Sequence, residues 1–142
     1  ALGTSGDVVP LTGENRIFVK CGLSLLRDSS REGICAMLED AAITPSKLSA
    51  GKVAFTLVPR INACGRLALS QKSVQLLLTN DKELAQETAQ ELSLQFFRAI
   101  PGIRAVAQTD VEAFYDGDPA AFSTDEIIFC YPGLFDRHLL GL

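Results

Sequence analysis

Residues 14–41, ENRIFVKCGLSLLRDSSREGICAMLEDA, decide the fold class. Ile17, Phe18, Cys21, Leu25 and Leu26 recur at helical spacing, which predicts a helix from about Glu14 to Arg27. Ser29 with Glu32 has the spacing of a capping box, where a hydroxyl and a carboxylate satisfy the first free N–H groups of a helix. A second helix is therefore expected after it, with Ile34, Met37, Leu38 and Ala41 on its apolar stripe. Two adjacent amphipathic helices with a polar joint predict a mainly α chain.

The rest of the chain extends this pattern in both directions. The opening ALGTSGDVVPLTG is turn-rich and leaves room for at most one short strand, at residues 1–3. Pro45 suits the first turn of a short piece or the loop before it. A third helix over about Ala50 to Val58 should stop at Pro59, because proline disfavours helical backbone in the residue before it. A fourth covers about Leu69 to Leu78. Asn80 with Glu83 caps a fifth, running to about Leu94 with Leu84, Thr88 and Leu92 on one face. In the tail a helix is expected from about Phe97 to Tyr115, despite Pro101 and Gly102. A turn at Asp116-Gly117-Asp118-Pro119 follows, and then a short helix capped by Ser123 and Glu126 and ended by Pro132-Gly133.

The 142 residues suffice for a domain with its own core, and 47% apolar against 21% charged residues exclude a disordered chain. No apolar run approaches the ~20 residues of a membrane span. The start at Ala1, without Met or a cleavage signature, reads as an interior fragment rather than a secreted product. The formal charge of −4 is the wrong sign for a generic nucleic-acid surface, so any nucleic-acid chemistry must rest on a local site. Cys21, Cys35, Cys64 and Cys130 form no C-x-x-C pair, and His138 is near no cysteine motif. They read as reduced, packed thiols in a cytoplasmic setting.

Composition also breaks the chain in two. Residues 1–95 hold 10 Lys/Arg and 10 Asp/Glu, whereas residues 96–142 hold 3 and 7, so the whole net charge lies in the tail. Only Phe18 and Phe55 are aromatic in the first part, and the other eight aromatics follow residue 95. Such a contrast predicts two structural units, 1–95 and 96–142, although no Gly/Pro/Ser-rich linker separates them.

Two stretches could carry chemistry. Asp7 follows a short apolar run and Gly-Thr, and a carboxylate at a strand end can grip Mg2+ or Mn2+. On its residues alone the stretch favours a turn or cap, since one carboxylate makes no metal site. In Pro59-Arg60-Ile61-Asn62-Ala63-Cys64-Gly65-Arg66-Leu67, the planar forks of Arg60 and Arg66 suit phosphate, Asn62 adds an amide donor, and Gly65 permits close backbone approach. The same composition also suits a plain connector between helices. The acidic residues of the tail (Asp110, Glu112, Asp116, Asp118, Asp125, Glu126) lack the alternation of a calcium loop and read as a solvated face. The chain carries no Walker-type loop, dinucleotide fingerprint or nucleophile elbow.

ALGTxxDVVPLTGENRxxVKxGLxLLR, then FTLxPRINAxGRL, then LLLT before an acidic helix, together resemble the RecJ branch of the DHH phosphoesterases over residues 1 to about 95. The resemblance implies a helical subdomain fragment that follows an α/β DHH core. It also implies a metal-dependent, 5′-directed single-stranded DNA exonuclease of DNA repair and recombination, using two Mn2+ or Mg2+ ions. Asp7 would be the last metal-binding residue of that family, and Arg60, Asn62 and Arg66 the contacts to strand phosphates. Two departures stand out. Ser5-Gly6 replaces the usual Val/Ile-Ala before the aspartate, and Ala68-Leu69-Ser70 replaces the acidic residue usual after G-R-(L/M). The earlier aspartate and Asp-His-His motifs and the later domains are not in the chain, so the fragment is expected to be inactive alone and to bind metal weakly.

After Gln95 the pattern changes. DxxAxxxxDPAAxSxxEIIxCYPGL resembles, over residues 96–135, the N-terminal helical region of bacterial serine acetyltransferases, which mainly supports oligomerisation. DRHLLGL then leaves that pattern as well. The two resemblances imply a chimeric or mis-assembled reading frame joined near residue 95. The alternative function is a fragment of serine O-acetyltransferase or a non-catalytic helical association module. A helical fragment of this kind should also expose apolar helix faces through which it can self-associate.

Overall fold

The computed structural model describes residues 1–62 and 70–130. The mainly α class holds, and among the described residues there is no strand. The elements are α1 (Leu2–Gly6), α2 (Gly13–Arg27), α3 (Glu32–Asp40), a 3-10 turn (Pro45–Lys47), α4 (Ala50–Lys52), a π turn (Val53–Leu57), α5 (Val58–Asn62), α6 (Ser70–Leu78), α7 (Lys82–Gly117) and α8 (Thr124–Cys130). The chain divides into two compact units, Ala1–Arg98 and Ala99–Leu142, and α7 supplies residues to both.

The core of the first unit is the stripe expected on α3 and its partners. Ile34, Met37 and Leu38 pack with Leu48, Val53, Leu57, Leu76, Ala85, Ala89 and Leu92. On α7 the buried residues Ala85, Thr88, Ala89, Leu92 and Ser93 recur at three and four, which turns one face inward. Pro45 opens the 3-10 turn at its first position, where its missing N–H costs nothing. Arg27, at the end of α2, donates to the Leu48 carbonyl through Nε (3.3 Å) and Nη2 (2.7 Å), closing α2 onto that turn.

Six expectations are corrected. Residues 2–6 are a helix and not a strand, because a three-residue apolar run has no period that separates the two. Helix α2 has the expected span, and Leu26 of its expected stripe packs on the core with Leu23 beside buried Val19, but Ile17, Phe18, Cys21 and Leu25 are exposed. The Ser29–Glu32 box does not form. Arg31 is the N-cap of α3 without a side-chain cap, and Ser29 Oγ instead accepts from the Arg31 N–H at 3.2 Å. Pro59 does not end the third helix, which runs on from Ala50 to Asn62. Proline lacks an N–H and its ring crowds the carbonyl four residues back, here that of Phe55. The wider π turn over Val53–Leu57 directly before it opens the helix where that crowding falls.

The last two corrections concern α7. Its cap is Asp81 rather than Asn80, since Asp81 Oδ1 accepts from the N–H groups of Glu83 (2.9 Å) and Leu84 (3.1 Å). The two helices expected on either side of residue 95 are one helix of 36 residues that includes Pro101.

In the second unit, Val111 of α7 and Ile127 of α8 are buried against Phe114 and Ala121. The Ser123–Glu126 cap forms: Ser123 Oγ accepts from the Glu126 N–H at 3.2 Å, and Glu126 Oε2 accepts from the Phe122 N–H at 2.8 Å. Pro132-Gly133 and His138 lie outside the described residues. No helix among the described residues is long and apolar enough to cross a membrane.

Candidate functional site

The rod formed by α4, the π turn and α5 carries the P-R-I-N stretch, and α1 packs on it. The approach is close at Gly6, where an added Cβ would lie 2.8 Å from a methyl of Val58. This contact gives a use for one departure in the opening stretch. Gly6 stands where the helix end carrying Asp7 meets α5, and a larger side chain would push the two apart. Asp7 is the exposed C-cap of α1 and not the end of a strand. Val8, next to it, has φ +50°, which is costly for a β-branched residue.

Arg60 sits mid-way along α5 and points inward. Its side chain is only 13% exposed. Nε donates to Ser93 Oγ at 2.9 Å, and Nη1 donates to the Thr56 carbonyl at 2.6 Å. Asp40 at the end of α3 lies 3.8 Å from Nε and accepts the Ser93 hydroxyl. The guanidinium also lies over the rings of Phe96 (5.7 Å) and Phe97 (5.4 Å), a cation–π arrangement. Three segments, α3, the π turn and α7, thus hold one arginine, and charge, hydrogen bonds and ring faces all fix its plane. Asn62, the last residue of α5, is exposed. Arg66, together with Cys64 and Gly65, lies outside the described residues.

The sequence reading missed Asp40, Ser93, Phe96 and Phe97. For Ser93 and Phe96 the signal was the α7 spacing: 89, 92, 93 and 96 fall on one helical stripe, so both face the same interior as Ala89 and Leu92. Nearby, Ser73 of α6 donates to the Ile61 carbonyl at 2.8 Å, and Lys72 pairs with Glu91 of α7. These contacts fasten the end of α5 to α6 and α7.

The described residues do not gather a metal centre. Among the described residues no three His, Cys, Asp or Glu side chains are grouped closely enough to hold a cation. A pair of divalent ions needs several carboxylate or imidazole ligands, and Asp7 supplies one. The described residues do not fit such a centre. Cys21, Cys35 and Cys130 are free thiols.

Comparison with known proteins agrees with both resemblances read from the sequence. The chain is 45% identical over 93 residues to the single-stranded-DNA-specific exonuclease RecJ of Dickeya dadantii, a match that covers 65% of this chain and 16% of the relative. The crystal structure of RecJ from Thermus thermophilus in complex with Mn2+ superposes with a TM-score of 0.68 at 37% identity, over 78% of this chain and 17% of that one; its Mg2+ complex superposes equally well. A shorter stretch of 46 residues is 52% identical to a plasmid serine acetyltransferase of Synechococcus elongatus, covering 32% of this chain and 14% of the relative. No protein-family model matches. The chain spans about one sixth of the length of the RecJ relatives it matches.

Proposed function

We propose that this chain is a strand-holding fragment of a metal-dependent, 5′-directed single-stranded DNA exonuclease of DNA repair and recombination. In this reading it contacts phosphates through Arg60, Asn62 and Arg66 and is inactive in hydrolysis alone. The observation that carries the reading is the 45% identity to RecJ over 93 residues, together with Asn62 exposed at the end of α5. Arg60 is only 13% exposed and is paired with Asp40, Ser93 and Thr56 over two phenyl rings, so a phosphate reaches it only by replacing Asp40 as its partner. Exposed Asn62 lies two residues further on, at the end of α5. The similarity to RecJ supplies the substrate class.

Asp7 remains the candidate metal ligand, and Mn2+ or Mg2+ the candidate ions of a complete enzyme. No hydrolytic step is assigned to this chain. Free thiols fit a reducing, cytoplasmic setting.

The test is binding of a 5′-phosphorylated single-stranded oligonucleotide, followed by fluorescence anisotropy over a range of salt. Each phosphate contact adds about 0.7 to the slope of log affinity against log salt. Arg66→Ala should weaken binding of every sequence alike and lower the slope by about that amount. An unchanged slope would remove Arg66 from the phosphate site.

The compositional break near residue 95 and the second similarity support a join between two parent sequences, a chimeric or mis-assembled frame. Sequencing reads that span the join within one intact genomic frame would refute it. A second reading, a fragment of serine O-acetyltransferase or a helical association module, is favoured by the tail, where Phe122 is 90% and Phe129 80% exposed. The exposed row Ile17, Phe18 and Leu25 on α2 offers another apolar face. We expect self-association through these faces. In sedimentation velocity, Phe18→Lys with Leu25→Lys should shift the chain toward monomer with little change in melting temperature. An unaltered distribution for that variant and for Phe122→Ser with Phe129→Ser would contradict it.

A further inference from the structure

Asp40 keeps its place beside Arg60 against two opposing effects. It is the last residue of α3, whose final turn carries Glu39 and Asp40 and no basic side chain. The negative end of the helix macrodipole repels a carboxylate there. Two residues on, Ala42 has φ +52°, a left-handed conformation that disfavours a residue with a Cβ. Both effects favour opening the end of α3, and the charge of Arg60 with the Ser93 hydroxyl offsets them.

The pairing is also indirect. Arg60 Nε and Asp40 are 3.8 Å apart, too far for a hydrogen bond. Nε donates to Ser93 Oγ at 2.9 Å, and the Ser93 hydroxyl donates to Asp40. The carboxylate therefore neutralises the guanidinium without gripping its fork, unlike a bidentate arginine–carboxylate pair. On the other side, Nη1 donates to the Thr56 carbonyl, and the rings of Phe96 and Phe97 lie against the cation. None of these contacts involves Asp40, so the fork keeps its place when the carboxylate leaves. The Ser93 hydroxyl can then turn and donate to an anion beside Nε.

We infer that Asp40 is an internal stand-in for the strand phosphate, which closes the Arg60 site in the free chain. A phosphate enters by exchange, and Asp40 moves out to solvent as the end of α3 opens. The inference rests on the phosphate reading of Arg60 above and adds its regulation, an autoinhibitory contact. The apparent affinity for a strand is then the intrinsic affinity reduced by the fraction of molecules in which Asp40 is out.

The test is binding of a 5′-phosphorylated single-stranded oligonucleotide to the full chain carrying Asp40→Asn, followed by fluorescence anisotropy. Asparagine keeps the shape and still accepts the Ser93 hydroxyl, but it no longer neutralises Arg60. Binding should tighten about tenfold, as expected when the open form is about one tenth of the free chain. The melting temperature should fall at the same time. A purely structural ion pair would lose stability with no gain in affinity. Glu39→Gln makes the same change of charge one residue away on an exposed side chain, and should alter binding by less than about twofold. Adding Arg60→Gln to Asp40→Asn should abolish the gain. In the wild-type chain the Arg60 Nε–H resonance should shift when the oligonucleotide binds, because its acceptor changes.

An affinity of Asp40→Asn equal to or below that of wild type would overturn the closure. So would a gain that survives Arg60→Gln, or a strand that binds without moving the Arg60 resonance. If binding still falls with Arg66→Ala in those cases, the phosphate reading stands without the closure. Absence of strand binding by wild type and Asp40→Asn alike would overturn both.

Discussion

Gly33→Ala should destabilise the chain more than any other single methyl group added to it. Gly33 lies in the first turn of α3, and a Cβ there would meet the Leu76 carbonyl oxygen of α6 at 1.7 Å and its carbon at 2.7 Å. These are backbone atoms within a helix, so no rotamer change relieves the clash. Helices α3 and α6 must separate, and Ile34, Met37 and Leu76, all buried at this seam, lose contact together. Overpacking of a core costs about 1–3 kcal/mol, and a backbone collision belongs at or above the top of that range. For a unit of this size, a loss of about 3 kcal/mol lowers the melting temperature by roughly 15 °C. Circular dichroism melts of the two proteins would measure it. The control is Gly51→Ala, where nothing lies within 4 Å of the added carbon and a stability change of less than about 1 kcal/mol is expected, helix propensity favouring alanine.

The second large effect belongs to the Arg60 cluster. Arg60→Ala removes the partner of a carboxylate that is only 18% exposed, leaves Ser93 with Asp40 alone, and strips a cation from two ring faces. Breaking one side of a buried ion pair costs about 3–5 kcal/mol, and here residual solvent contact brings the expected loss to about 3 kcal/mol. Asp40→Ala should cost somewhat less, because the guanidinium keeps Thr56 and the rings. The double variant Asp40→Ala with Arg60→Ala should be more stable than the sum of the singles predicts, by about 1–2 kcal/mol of coupling. Strict additivity in urea unfolding would mean that the two side chains do not act as a unit. Arg60→Lys keeps the charge but loses the planar fork and the ring stacking, so it should fall between wild type and alanine.

Periodicity made most of the helical spans legible, and α3 and α6 fall within a residue or two of their expected ends. What periodicity could not supply was the choice between two apolar faces of α2. Ile17, Phe18 and Leu25 on one side and Val19, Leu23 and Leu26 on the other both recur at helical spacing, and only the position of Leu48 and its neighbours decides which is covered. Proline misled for a related reason. The rule at Pro59 is local, whereas Val53 and Leu57, both buried, anchor the rod on either side of the wide turn and keep it helical past the proline. The cap at Asp81 was missed by one residue because Asn80 and Asp81 are both good caps. Of the candidate site, the P-R-I-N stretch was visible as a possible phosphate loop. The inward turn of Arg60 was not, because Asp40 and Ser93 lie 20 and 33 residues from it in the chain.

The functional account divides holding from cutting. Among the described residues the chain carries an exposed amide, Asn62, that suits a strand, but only one candidate ligand for two ions. The most direct measurement is one experiment with two readouts on a 5′-labelled single-stranded oligonucleotide, with Mn2+ or Mg2+ added and then removed by chelator. The account predicts retention of the strand by the protein, lost on raising salt, with full-length label recovered in either ion. Metal-dependent shortening of the labelled strand by the purified chain, or absence of any strand binding at low salt, would contradict it.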